Sequence, residues 1–241
     1  MKKTLIRGGF FAIAAITTFA TANASPCTTG NNLLSQYVGN PTVAPSGGLS
    51  NTGTFSCQIS PLGFSNFSYL LDAGSFSVTP LAVNVETATL SDNQVVLDFD
   101  PNLAASSDLV LEDQVTGSIF GVDLGWNGSG TGFVNEVVCT VFTSTGVCPS
   151  SDELAVLNVT SGGTVATAFN GGTSSTAEGI ASVVFATSHS EVWIFKDINS
   201  GDAPFSEVEQ SYLVSEPMTF SLMGAGLLGI GLIGRRRTKT S

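Results

Sequence analysis

Residues 25–214 carry eighteen carboxylates against a single basic side chain, Lys196, and the spacing of these groups suggests several chemistries. Asp98 and Asp100 stand two apart, as do Glu207 and Glu209, and alternate residues of a strand share a face. Two carboxyl groups held ~5 to 10 Å apart are what glycoside hydrolysis needs. In so acidic a segment such pairs also arise by chance, as solvated faces and turn residues. A hard cation is the second possibility, because it takes several oxygen ligands. Asp197-Ile-Asn199-Ser-Gly201-Asp202 and Asp98-Phe-Asp100-Pro-Asn102 both offer oxygen donors at alternating positions. Neither completes an EF-hand, since Gly201 replaces an oxygen ligand and the twelfth position counted from Asp197 is Val208. Asx turns closing two strands account for the same residues. The expectation is no required cofactor, with calcium at Asp98, Asp100, Asp197, Asn199 and Asp202 as the ligand-binding alternative.

His189, the one histidine, lies between Ser188 and Ser190 and must serve any Ser-His-Asp triad. No GxSxG turn accompanies it, so a strand-end histidine solvated by hydroxyls is the simpler expectation. Lys196 lies in an apolar run before Asp197 and Asn199. A buried lysine beside an asparagine and an acid can form an internal isopeptide bond, whereas a lysine whose stem lies on the sheet and whose head reaches water needs no such chemistry. Trp126, in the loop-like Gly125-Trp126-Asn127-Gly128, offers a face on which a sugar ring could stack; Trp193, inside an apolar run, is expected in the core.

The four cysteines, Cys27, Cys57, Cys139 and Cys148, are an even set that an oxidising compartment allows to pair. Sequence neighbours give Cys27 with Cys57 and Cys139 with Cys148, contributing ~3.6 and ~2.7 kcal/mol on the loop-entropy model. Other pairings are formally open. There is no CxxC pair for zinc, and His189 is distant in sequence.

The elements that must position these groups are strands. The segment is rich in Val, Thr, Phe, Ser and Gly, and its short apolar runs are separated by turn residues. Val83 and Val85 alternate with Asn84 and Glu86, while Phe133, Val137, Cys139 and Val141 share one face of their run. Further strands are expected at 64–71, 94–99, 118–124, 154–160, 181–187, 192–197 and 208–214. Residues 31–37 alone look helical, and 46–54 and 171–178 look like loops. The fold class is all-β, as a single β-sandwich of jelly-roll-like arrangement, with two smaller sandwiches as the alternative.

A formal charge of −17, from 18 acids against 1 base in this segment, excludes nucleic acid as a partner, because phosphate binding depends on Lys and Arg. It also disfavours an anionic membrane surface. All other basic residues lie near the two ends. Lys2, Lys3 and Arg7 precede an apolar run from Gly8 to Ala20 that closes on Ala22-Asn23-Ala24, the pattern of a cleavable secretion signal read by signal peptidase. The mature chain is expected to start near Ser25. At the other end, Met218 to Gly234 holds seventeen residues without a charge, followed by Arg235, Arg236, Arg237 and Lys239. A helix of that length covers most of a bilayer core, and the basic cluster stays in the cytoplasm. Its five glycines weaken a helix in water but suit close helix packing in lipid.

Val214-Ser215-Glu216-Pro217, the glycine-rich apolar stretch and Arg235-Arg236-Arg237 together resemble the PEP-CTERM sorting signal of exopolysaccharide-producing bacteria. The resemblance covers about the last 28 residues, with Ser215 where that family has proline. It implies recognition of Glu216 and Pro217 by a membrane-embedded exosortase that processes the tail. A second stretch, Phe55-Ser56-Cys57-Gln58-Ile59 followed by Phe64-Ser65-Asn66-Phe67-Ser68-Tyr69, resembles the opening of many PEP-CTERM ectodomains. The expected organisation is a signal peptide at 1–24, an ectodomain at 25–214 and a sorting tail at 215–241. The expected role is a non-catalytic component of the cell surface or exopolysaccharide matrix. A carbohydrate-binding module and an extracellular glycoside hydrolase are the alternatives.

Overall fold

The structure is a computed structural model and describes residues 25–27, 32–33, 56–70, 84–90, 94–100, 103–128, 130–142 and 148–214. The expected secretion signal, the expected sorting motif at Glu216 and Pro217, the apolar stretch and the Arg235 to Arg237 cluster lie outside the described residues. Among those described, no helix is long and apolar enough to cross a membrane.

The described chain is all strand and turn. In order the strands are β1 (Ser25–Pro26), β2 (Asn32–Leu33), β3 (Cys57–Ile59), β4 (Leu62–Leu70), β5 (Asn84–Leu90), β6 (Gln94–Asp100) and β7 (Asp108–Gly128). Then follow β8 (Phe133–Cys139), β9 (Glu153–Thr160), β10 (Gly163–Ala168), β11 (Thr173–Ala177), β12 (Ile180–Asn199) and β13 (Phe205–Val214). All thirteen join one hydrogen-bonded sheet, antiparallel except where β1 runs parallel to β3.

Two strands far longer than the rest organise this sheet. β7 has 21 residues and β12 has 20, and each spends its two halves on different neighbours. The first half of β7 pairs with β4 and the second half of β12, which in turn pairs with β8. The second half of β7 pairs with β13 and the first half of β12, which pairs with β11. One arm therefore reads β10-β9-β8-β12-β7-β4-β3-β1, the other β11-β12-β7-β13-β6-β5-β2. The β7–β12 ladder loses register between Val184 and His189 and again before Glu191. Opposite this break, Gly117 takes φ +139°, a conformation that L side chains rarely adopt, and a Cβ at Gly121 would overlap the Val183 carbonyl.

Side chains of the two arms meet. Phe64 of β4 packs edge-on against Tyr212 of β13, with ring centroids 5.6 Å apart, and Lys196 of β12 lies over the Phe99 ring of β6. Alternation supplies the apolar faces that meet there: Leu109, Leu111 and Val115 are buried while Val110, Glu112 and Gln114 are not, as a half-buried strand requires. Cys27–Cys57 bonds the segment that follows β1 to β3 with an S–S distance of 2.01 Å, and Cys139–Cys148 ties the end of β8 to the approach to β9 at 2.03 Å. Both are the neighbour pairings expected from sequence.

Several expectations are corrected. Residues 32–33, placed in a short helix from sequence, form β2 against β5. The stretch 171–178, expected as a loop, contains β11, whose Thr and Ser residues hide the strand because all five are exposed. The runs at 181–187 and 192–197 are one strand interrupted by a bulge, and 118–124 is part of the much longer β7. On β8 the fully buried alternate set is Val134, Glu136 and Val138, while Phe133 and Val137 are only half-buried.

Candidate functional site

The most unusual chemistry lies between the arms. Lys196 and Glu136 are directly opposite each other on β12 and β8, both side chains are 0% exposed, and Nζ lies 3.0 Å from Oε2. Leu111 of β7 faces Lys196 from the other side, and Asp113, two residues on, shares that inward face and is also buried. From the opposite arm come Tyr212, whose hydroxyl donates to Asp113 Oδ2 at 3.5 Å, and Gln210, buried against Glu136. Phe99 closes the site, with Nζ 5.6 Å from its ring centroid. One amine and two carboxyls thus sit in an apolar interior.

Burial dominates their protonation. Loss of solvation pushes the Asp113 carboxyl up to about 7 despite the opposing pull of Lys196, with Glu136 and Glu112 adding to the rise. Glu136 is raised chiefly by the same loss, and Lys196 and Gln210 partly offset it. Tyr212 is raised well above the ordinary phenol range by desolvation, then by the two acids. Lys196 and Gln210 are close enough to Glu136 to act on its charge. Even so, Lys196 Nζ, both Glu136 oxygens and Gln210 Oε1 make no well-directed hydrogen bond, so the 3.0 Å contact is a close approach with poor alignment.

Lys196 is thus not a solvated lysine lying on the sheet, and its acidic neighbours are Glu136 and Asp113 from other strands. Sequence reasoning missed both. The signal was present: Leu109-Leu111-Asp113-Val115, Val134-Glu136-Val138 and Ile194-Lys196-Ile198 each put a charge in the inward register of an alternating strand.

A second polar grouping is open to solvent. A cleft of about 140 Å³ is lined by Gln94, Asp123, Gly125, Ile180, Glu209 and Ser211. Asp123 Oδ2 accepts from the Gln94 side-chain amide and the Ser211 hydroxyl, both at 3.1 Å, while Glu209 stands diagonally across on β13. Glu207, its partner in the alternating pair, instead accepts from the Asn127 side chain at 3.3 Å.

The oxygen donors of these two stretches that are described have protein partners or lie within strands. Asn199 Oδ1 accepts from the Gly201 N–H at 2.8 Å, and Asp202 Oδ1 accepts from the Thr131 N–H at 2.7 Å and its hydroxyl at 3.0 Å. Those bonds hold the Asp202 carboxyl below the usual range. Asp197 lies within β12, and Asp98 of β6 accepts from the Gln210 N–H at 3.2 Å; Asp100 ends β6. Among the described residues, no group of three or more His, Cys, Asp or Glu is arranged to hold a metal ion.

His189 sits in the β12 bulge, edge-on to Phe185 at 5.3 Å, and burial lowers its pKa. Trp126, expected in a loop, lies within β7 and packs against the core. Trp193, expected in the core, is only half-buried on the face opposite Lys196, where the Phe142 ring stacks at 6.2 Å from it and 6.1 Å from Phe195. Glu191 accepts from its indole N–H at 3.1 Å.

No family model, curated protein or solved structure matches the chain.

Proposed function

We propose that this chain is an exported, non-catalytic protein displayed at the cell surface or in the exopolysaccharide matrix. Its ectodomain, 25–214, is one β-sandwich whose layers are the two arms sharing β7 and β12. Signal peptidase releases it near Ser25. An exosortase-type enzyme acts on the tail at Glu216 and Pro217, with the apolar stretch in the inner membrane and Arg235, Arg236 and Arg237 as its cytoplasmic stop. One observation carries this reading. The basic residues flank the apolar stretches near the two ends, and Lys196, the one basic residue between, is fully buried. The ectodomain surface therefore presents carboxylates and hydroxyls with no Lys or Arg to attract phosphate, which suits a protein kept soluble among secreted polymers.

Expression of the tagged chain in an exosortase-bearing host, with fractionation and N-terminal sequencing, tests the reading. A surface or matrix product starting near Ser25 is expected, and Glu216→Ala with Pro217→Ala should leave the unprocessed form in the membrane. Full-length, unclipped chain free in the cytosol would overturn it. Carbohydrate binding is the second reading, favoured by the cleft where Gln94, Asp123, Glu209 and Ser211 gather amide, carboxylate and hydroxyl groups suited to sugar hydroxyls. A glycan array with and without calcium separates the two, and a glycoside substrate screen tests the hydrolase alternative.

A further inference from the structure

Lys196, Glu136 and Asp113 have a use that display at a surface does not require. We propose that Lys196 and Glu136 are joined by an intramolecular amide bond that covalently links β12 to β8, with Asp113 carrying the proton.

The geometry fits the step. The two residues are directly opposed across an antiparallel ladder, and Nζ already stands 3.0 Å from a Glu136 carboxyl oxygen, with both side chains fully buried. Tethering an amine and a carboxyl in contact replaces a bimolecular encounter by an intramolecular one of very high effective concentration. The contact also makes a poor ion pair: Nζ has three protons to place, and neither it nor either Glu136 oxygen makes a directed hydrogen bond. A buried ion pair persists only when such bonds compensate for lost solvation. Condensation removes both charges at once.

The step balances without oxidant or cofactor. A proton passes from Nζ to the Glu136 carboxylate, leaving a neutral amine and a carboxylic acid. The nitrogen lone pair attacks Cδ. Asp113 takes a proton from the attacking nitrogen and delivers it to the departing hydroxyl, so that one C–N bond forms, one C–O bond breaks and one water leaves. Asp113 lies on the adjoining strand, diagonal to Lys196 on the same inward face and near enough for Lys196 and Glu136 to act on its charge, and its carboxyl titrates in the range where it can both accept and return a proton. Tyr212 donates to the Asp113 carboxyl from the opposite arm, where Gln210 lies beside Glu136.

The sequence supplies an unusual assay. Lys196 is the sole trypsin site between residues 25 and 214, and an acylated lysine is not cut. The full chain, purified from its exporting host, is reduced and denatured, its ends are assigned by N-terminal and C-terminal peptide sequencing, and its mass is measured before and after trypsin. Expected for the unaltered protein are a mass lower by one water than its sequence requires and no cleavage after Lys196. Fragmentation should recover a branched species joining Lys196 to Glu136. Glu136→Leu should restore the full mass and the cut, and Asp113→Asn should do the same or slow bond formation at least tenfold. Full sequence mass with cleavage after Lys196 in the unaltered protein overturns the proposal, whether or not either variant folds. A bond from Lys196 to another carboxyl overturns the assignment to Glu136, and prompt bond formation in Asp113→Asn overturns the role given to Asp113.

Discussion

Replacing Asp113 by Asn should remove a pH dependence of stability that runs opposite to ordinary acid denaturation. In the unfolded chain this carboxyl titrates near 3.8, whereas in the fold desolvation raises it to about 7. Between those values the folded state binds the extra proton. Its contribution is therefore fully present below 3.8, is lost as pH rises through 7, and is absent at higher pH. With each pH unit in that window corresponding to ~1.36 kcal/mol per proton, the group makes the fold roughly 2–3 kcal/mol more stable at pH 5 than at pH 8. Glu112 is raised by the same cause and acts in the same direction, as does Glu136 while its carboxyl is free, and His189, lowered by burial, opposes them. With both proteins brought to the same state of the Lys196–Glu136 pair, as mass establishes, the difference between the unaltered protein and Asp113→Asn isolates the one group. Urea unfolding at pH 5 and pH 8, with disulfides intact and m-values compared, should show the unaltered protein losing roughly 2–3 kcal/mol more than the variant on going to pH 8. Parallel pH profiles for the two would refute the claim that burial raises the Asp113 carboxyl.

Three other perturbations have outcomes set by the geometry. Replacing Cys27 and Cys57 together by Ser should cost roughly 3.5 kcal/mol, and Cys139 with Cys148 roughly 2.5 kcal/mol, because the first pair closes the longer loop; unfolding under oxidising conditions checks the order. Gly121→Ala should destabilise by about 1–3 kcal/mol, since its Cβ would overlap the Val183 carbonyl and crowd Leu213, and a calorimetric melt reads the loss. Ser200→Ala should cost about 1–3 kcal/mol, because the buried hydroxyl accepts from the Ser107 N–H at 2.8 Å and donates to the Ala104 carbonyl at 2.7 Å; an unchanged melting temperature would contradict it.

Strand chemistry was legible wherever burial alternated cleanly. The ranges expected at 94–99, 154–160 and 208–214 fall inside β6, β9 and β13, and the two nearest-neighbour cysteine pairs are those the fold makes. Lengths were not legible. Gly117, Gly121 and the Ser188-His189-Ser190 stretch resemble turn punctuation, yet they mark bulges and close approaches inside β7 and β12, where the sheet passes from one arm to the other. β11 was hidden because Thr173 to Ala177 contributes no buried side chain, so no period-2 apolar signal exists to find. Lys196 stood out by its solitude, but its partners did not, because which strands flank β12 is a long-range property. Asp113 lies 83 residues away and Glu136 lies 60 away, and each is unremarkable among eighteen acids until its inward register is known.

The placing of β13 bears on how the molecule would carry a mechanical load. This final described strand is an interior one, held by β7 along one flank and β6 along the other. Tension arriving from the C-terminal side therefore pulls along two ladders at once and must shear them, where a strand at the rim could be peeled away one bond at a time.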